Sequence, residues 1–494
     1  MVERASLIAT LAEPPEDGTL RALPAGVDWL ELRADLCGEI PAAWLRERFA
    51  GRLLYTLRSR SEGGGFEGSL ARRRERLGAA AAEFDRVDVE AERDLHDALL
   101  EAVPPEQRVL SWHGTGRETS QLERQFQAMA QVPAALYKLV PFARESGEEV
   151  AALELLVDLG RRDVVCFAAG DSGVWTRYVA PYLGAPVLFA AATAVAGAPG
   201  QPTAAKICRD YPFPDLPSVD ALYGIVGHPV SHSLSPRLHN GAYRELGIPA
   251  LYLPFGPSSF ADFWLEVVEG NLLGAFAPLG GLSITAPYKS AAAAVAGAVS
   301  PLAQSIDSVN TLVVRDGVWE GETTDPRGVV GALAAAGIEL RDRRAAVVGC
   351  GGAGRAAAAG LAAAGARTVL VNRSPEKGRL AAEALHLPFE ALADFAPRGF
   401  EILVNATSLG NDLDDALPFD PSDLGPGTAV LDLVYGERPT ALLDRVRERG
   451  LLGVDGREVL LFQAIDQFRL MTGRELPIGL ARELLELPAP RRGR

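Results

Sequence analysis

Short apolar runs recur along the first two hundred positions, separated by longer stretches whose apolar residues fall three and four apart. The runs at 6–12, 27–34, 52–57, 86–91, 107–111, 135–139, 163–168 and 186–191 read as strands. Between them, segments such as 69–83 and 119–130 have helical spacing and many Glu, Arg and Ala. Eight β-α repeats in so short a stretch predict a (β/α)8 TIM barrel, with an open doubly wound sheet as the alternative.

The rhythm breaks at 210–218, where three prolines make a turn-rich junction. A new strand is predicted at 221–226, and β and α segments alternate again. A second boundary falls near 325–328, where a helical stretch (329–336) leads into a strand (345–348) and a cluster of glycines. The expected domains are 1–215, a substrate lobe at 220–326 completed by 456–488, and a nucleotide-binding domain at 327–455.

Composition changes this picture little. A chain of 494 residues, 48% apolar and 23% charged, is an ordinary globular protein too long for one core. Its net charge of -15 argues against a nucleic-acid surface, while local Arg and Lys can still hold small anions. Cys37, Cys166, Cys208 and Cys350 form no CxxC pair and no metal spacing, so reduced thiols and no metal are expected. No leader pattern opens the chain, and no run of about twenty residues lacks charge and turn signals. A soluble cytoplasmic protein is the expectation, with no membrane or nucleic-acid partner and an oligomeric state left open.

Lysine use is more telling. Of 49 basic residues only Lys138, Lys206, Lys289 and Lys377 are lysines. Where arginine is the default cation, a lysine is a candidate for work that requires losing a proton.

In a parallel barrel the chemistry gathers at the C-terminal ends of strands. Glu31 and Arg33 end the second predicted strand, Arg58 follows the third with Glu62 just beyond, His113 follows the fifth, and Lys138 ends the sixth. Each alone has a plain structural reading, a snorkelling lysine or a satisfied loop histidine. Together they permit one chemistry. A lysine amine kept neutral by desolvation attacks a ketone and forms an iminium, which acidifies the next carbon. A histidine removes that proton and protonates a leaving hydroxyl, a carboxylate orients the imidazole, and arginines clamp a carboxylate.

Glu31-Leu-Arg33-Ala-Asp35, Leu57-Arg58-Ser-Arg-Ser-Glu62-Gly-Gly64, Ser111-Trp-His113, Tyr137-Lys138, Thr176-Arg177 and Ala198-Pro-Gly-Gln201 resemble type I 3-dehydroquinate dehydratases over residues 1–205. The resemblance implies Lys138 as Schiff-base lysine, His113 as general acid and base, and Glu62 as its partner. It implies Glu31, Arg33, Arg58, Arg177 and Gln201 as substrate-binding residues. One departure is Gly197, where the family has a serine; its hydroxyl is expected to be missing, or supplied by Thr193 or a water.

The second half carries Gly349-Cys-Gly351-Gly352-Ala353-Gly354 between an apolar strand and an Ala-rich helix, 355–364. In that setting the motif reads as a Rossmann turn holding a pyrophosphate on backbone amides. The next strand ends in Asn372-Arg373-Ser374 in place of an acidic residue, which favours a 2′-phosphate and hence NADP(H). Ahead of it lie Ser231-His-Ser233-Leu-Ser235-Pro236, Thr285-Ala-Pro-Tyr-Lys289, Asn310 and Thr324-Asp325. Paired hydroxyls suit a carboxylate, although Ser-rich turns also cap helices, and a Lys–Asp pair suits proton relay during hydride transfer.

These motifs resemble shikimate dehydrogenases over 221–485, with Asn405-Ala-Thr407-Ser-Leu-Gly410, Asp432-Leu-Val-Tyr435, Asp455-Gly456 and Gln463-Ala-Ile-Asp-Gln467 extending the match. The resemblance implies Ser233 and Ser235 at the carboxylate, Lys289 and Asp325 as catalytic pair, and Thr285, Asn310 and Gln463 at hydroxyls. It places Thr407, Tyr435 and Gly456 at the cofactor. Thr324 replaces the family's asparagine and Pro326 follows the aspartate, so that loop is expected to sit differently. The implied activity is dehydration of 3-dehydroquinate to 3-dehydroshikimate, then reduction by NADPH to shikimate. A quinate or quinate/shikimate dehydrogenase in the second half, or a non-catalytic metabolite sensor, are the alternatives.

Overall fold

Every predicted strand of the first half forms, because each run is long enough and apolar enough to be covered on its outer face. In the computed structural model, which describes residues 4–410, 416–436 and 439–488, they are β1 (Ser6–Leu11), β2 (Val27–Arg33), β3 (Arg52–Thr56), β4 (Arg86–Glu90), β5 (Arg108–Gly114), β6 (Leu136–Pro141), β7 (Val164–Cys166) and β8 (Val187–Ala191). They pair in parallel in the order β7-β6-β5-β4-β3-β2-β1-β8. The barrel is nearly closed, because β7 and β8 are the two ends of that order. A three-residue β7 offers few groups for a seam there. Helices Leu70–Ala80 and Thr119–Met129 fall where the spacing predicts them.

The chain divides into two compact units. One takes in Met1–Leu222, His228–Ser231 and Tyr243–Leu279, and so includes the barrel and β10 (Ala250–Phe255). The other takes in Tyr223–Gly227, His232–Ala242 and Gly280–Arg494. Mostly within the second, β9 (Ala221–Val226), β11 (Leu279–Ile284), β13 (Thr311–Arg315), β14 (Val318–Glu322) and β12 (Ala298–Val299) lie side by side in that order. The β11–β13 and β13–β14 pairs are antiparallel.

A further sheet contains β15 (Arg344–Val348), β16 (Arg367–Asn372), β17 (Phe389–Ala391), β18 (Ile402–Asn405), β19 (Ala429–Asp432) and β20 (Leu452–Asp455). All its pairs are parallel, in the order β17-β16-β15-β18-β19-β20. That order reverses between β15 and β18, the place where doubly wound sheets take their ligands. Leu333, Val347, Leu361 and Leu370 are fully buried in its core. Each such side chain contributes about 1.5–3 kcal/mol on burial. Helix Gly352–Ala363 begins inside the glycine cluster, earlier than predicted, since glycines at a first helical turn cost little where the backbone must approach a strand.

Candidate active sites

The barrel site draws on the C-terminal ends of some strands and on the interior of others. Glu31 and Arg33 are the last inward residues of β2, His113 is within β5, and Lys138 is the third residue of β6. Alternation along a strand puts every second side chain on one face. Register then aligns Thr10 with Glu31, Glu90 with Ser111, and Ser111 with Lys138.

Glu31 accepts hydrogen bonds from Thr10 (2.6 Å) and Thr56 (2.7 Å). Arg33 is held by both oxygens of Asp35 (2.9 and 2.7 Å) and donates to the Gly197 carbonyl (2.6 Å). Arg58 is shared among Asp88 (2.8 Å), Glu62 (3.1 Å) and Glu90 (3.3 Å), and donates to Ser111 (2.8 Å). Arg177 differs. Its guanidinium is buried, makes a 3.3 Å bond to the Phe189 carbonyl and lies 4.1 Å over the Phe167 ring, with no carboxylate among the described residues. Burial pulls it down to about 10. A buried cation so placed favours an incoming carboxylate.

Lys138 is buried with its ammonium 3.9 Å from the Phe189 ring centre. Desolvation lowers its pKa against the pull of Glu31 and Asp88, and Arg58 and Arg33 lower it further. Glu62 Oε2 faces His113 Nδ1 at 3.0 Å and accepts the His113 amide at 3.2 Å. Burial pushes Glu62 up to about 8, opposed by Arg58 and reinforced by Glu90 and Asp88. Burial, then the charges of Arg58, Lys138, Arg33 and Arg177, drive His113 well below its ordinary value.

Gln201 donates to Thr10 (3.0 Å) and accepts from the Gly197 amide (2.9 Å). A Cβ added at Gly197 would meet the Thr10 γ-methyl at 2.7 Å, so a side chain here requires Thr10 to shift. Thr193 donates to Glu13 (2.6 Å), so its hydroxyl hydrogen is already committed. Sequence reasoning missed Asp88 and Glu90 and gave Ser111 no role, although acids alternating with Val87 and Val89 in β4 are the signal of an inward charged face.

In the second site, Lys289 Nζ and Asp325 Oδ2 form an ion pair. Asn310 donates to Asp325 Oδ1 (2.7 Å) and to Thr324 Oγ1 (3.0 Å), and accepts the Thr324 amide (2.9 Å). Thr324 therefore replaces asparagine without loosening the aspartate. Asp325 opens helix Asp325–Ala335, where Pro326 lacks only an amide that a first turn leaves unpaired. The helix N-terminus also favours the carboxylate's charge.

Gln467 was quoted in the motif but given no role. It donates to the Asn310 carbonyl (3.0 Å) and Thr311 (3.1 Å) and accepts from Ser283 (3.0 Å). Gln463, one turn earlier on helix Gly456–Thr472, is half-buried beside Gly328. Ser233 accepts the Ser235 amide (3.2 Å) and is hydrogen-bonded to the phenol of Tyr435, which burial raises. Thr285 presses its methyl where a Gly227 side chain would stand.

Gly349 (φ +108) and Gly354, whose added Cβ would meet the Gly349 carbonyl at 2.0 Å, set the turn that opens helix Gly352–Ala363. Space beside Gly351 is open, and Ala353 lies in the first turn. Such amides fit a pyrophosphate. Asn372 ties down the Ser374 carbonyl (2.9 Å), leaving Arg373 exposed for a phosphate. Thr407 donates to Asn405 (2.7 Å), and Gly456 approaches the Asp432 and Leu433 carbonyls too closely for a side chain. Among the described residues no group of three His, Cys, Asp or Glu could hold a metal ion, and no helix is long and apolar enough to cross a membrane.

Residues 12–213 match the family model for type I 3-dehydroquinase, and residues 225–312 match that for the shikimate dehydrogenase substrate binding domain. A shikimate dehydrogenase (NADP(+)) of Halorubrum lacusprofundi is 40% identical over 52% of this chain and 95% of its own. The chain belongs to the shikimate dehydrogenase family, with a type I 3-dehydroquinase domain fused ahead of it. The chloroplastic bifunctional 3-dehydroquinate dehydratase/shikimate dehydrogenase of Arabidopsis thaliana is 28% identical across 93% of this chain and 80% of its own. The solved shikimate dehydrogenase of Aquifex aeolicus matches 54% of this chain and 97% of its own, with 30% identity and a TM-score of 0.50.

Proposed function

We propose that the chain carries out two consecutive reactions, dehydration of 3-dehydroquinate to 3-dehydroshikimate and its NADPH-dependent reduction to shikimate. Residues 1–215 carry the first reaction. Residues 220–326 with 456–488 bind the second substrate, and 327–455 bind the nucleotide. The observation that carries the reading is a desolvated lysine amine, Lys138, in a pocket with a His113–Glu62 pair and a buried arginine, Arg177, that lacks a carboxylate partner among the described residues.

Lys138 adds to the ketone and water leaves, giving an iminium that acidifies the neighbouring carbon. His113 takes that proton and returns it to the β-hydroxyl, which departs as water. A second water then hydrolyses the iminium, freeing the enone and the amine. Arg177 holds the substrate carboxylate, Glu62 orients His113, and Arg33, Arg58, Glu31 and Gln201 shape the pocket.

Bound NADPH supplies the hydride for the second reaction. Lys289 holds the proton that the developing alkoxide needs, and Asp325, fixed by Asn310, keeps Lys289 in place. Ser233 and Ser235 receive the carboxylate, with Thr285, Asn310 and Gln463 on hydroxyls. The glycine turn, Asn372, Arg373, Ser374, Thr407, Tyr435 and Gly456 seat the nucleotide. Four unpaired cysteines suit a reducing cytoplasm.

Borohydride added during turnover of 3-dehydroquinate is expected to attach the substrate skeleton to the peptide containing Lys138, and to nothing in Lys138→Ala. An adduct on another residue, or none while turnover continues, would remove the Schiff-base assignment.

A further inference from the structure

Residues 243–279 lie within the stretch matched by the dehydrogenase substrate-domain model, yet they form one compact unit with the barrel. Several of their contacts fall on the loops after β6 and β7. Ser146, after β6, accepts the amides of Ser258 (2.9 Å) and Ser259 (3.2 Å). Gly147, at φ +101, sits so close to Glu266 that an added Cβ would meet its Cγ at 2.7 Å. After β7, the Trp175 indole meets Phe255 edge to face at 5.2 Å, and Phe255 meets Phe263 at 5.1 Å. Glu149 joins the two loops, accepting from the Gly147 amide (2.7 Å) and the Trp175 indole (3.3 Å). Trp175 is 1% exposed and Phe255 0%, so the ring contact is sealed from water.

Trp175 stands two residues before Arg177, at the start of helix Thr176–Val179. Among the described residues the Arg177 head group has one long hydrogen bond and a ring face to fix it. Its direction is therefore set by where its backbone is held. We propose that Phe255 is a positioning residue for the dehydration: through Trp175 it fixes the segment carrying Arg177, so that residues from the dehydrogenase half complete the barrel's substrate site. This rests on the reading of Arg177 as the carboxylate clamp.

The test uses the full chain and steady-state kinetics with 3-dehydroquinate. Phe255→Ala is expected to raise KM about tenfold or more while kcat falls less than about threefold, because misplacing a binding group weakens capture before it weakens chemistry. Phe255→Leu, which restores apolar volume, recovers most of that loss. Trp175→Phe shifts KM the same way, and the double variant Phe255→Ala/Trp175→Phe loses little more than the worse single one, as two residues acting through one contact should. Folding of each variant is read from its reduction of 3-dehydroshikimate and from borohydride trapping at saturating substrate. Should Phe255→Ala fail to fold, Trp175→Phe and Ser146→Ala carry the same expectation. A wild-type KM in the folded variants, or a fall in kcat with KM unmoved, overturns the proposal. A wild-type chain that does not dehydrate the substrate overturns the functional reading itself, and the positioning role with it.

Discussion

His113 and Glu62 meet at 3.0 Å, and burial disfavours the charge on each, so their pKa values move in opposite directions. Below about pH 8 Glu62 keeps its proton, while burial and the surrounding cations favour the uncharged form of His113. As pH rises through that point, Glu62 becomes a carboxylate facing the imidazole and makes it a stronger base, while the amine fraction of Lys138 grows. The kcat/KM for 3-dehydroquinate should therefore climb through about pH 8. Glu62→Gln should flatten the climb and cost about 10- to 100-fold in rate. A variant profile that superimposes on the wild type would contradict the pairing. Lys138, His113 and Glu62 stood out as candidates because they fall at or just after predicted apolar strands, whereas Arg177 was singled out only by the family resemblance. The saturation of Arg58 by three carboxylates was not legible, since it depends on Asp88 and Glu90 from a different strand. Gln467 stayed hidden for the same reason, its partners lying 156 or more positions away.

Strand positions followed from apolar spacing alone, and all eight barrel strands lie within a few residues of where the pattern puts them. What spacing could not give was the depth of the chemistry within a strand. His113 and Lys138 sit inside β5 and β6 because those strands run on to Gly114 and Pro141. Nor could it give the open β7–β8 seam, which is a property of pairing between distant segments. The glycine turn is the element most exposed to test. Gly354→Ala places a methyl on the Gly349 carbonyl and must push helix Gly352–Ala363 off β15. KM for NADPH should rise about tenfold or more, with dehydration unchanged, since a 1 Å displacement of a binding element can cost that much. Steady-state titration of NADPH at saturating 3-dehydroshikimate checks it, and an unchanged KM would remove the turn from the nucleotide site.

In the proposed function, two lysines on two different scaffolds take two different tasks. Lys138 lies in an eight-stranded parallel sheet and has its charge suppressed by burial; Lys289 opens a helix in the other unit and is paired with Asp325. Motifs made both halves visible in the sequence, because each family's residues are clustered in short segments. The grouping of residues 243–279 with the barrel was not visible, since it rests on contacts such as Ser146 with Ser258, 112 positions apart. The central claim is that one chain performs both steps in succession. It is tested most directly by supplying 3-dehydroquinate and NADPH to the wild type, Lys138→Ala and Lys289→Ala, and following enone absorbance and NADPH oxidation together. The wild type should oxidise one NADPH for each 3-dehydroquinate consumed. Lys138→Ala should oxidise NADPH only when given 3-dehydroshikimate, and Lys289→Ala should accumulate enone with NADPH oxidation slowed about 100-fold or more. Oxidation from 3-dehydroquinate by Lys138→Ala, or none by a wild type that still reduces 3-dehydroshikimate, would contradict the account.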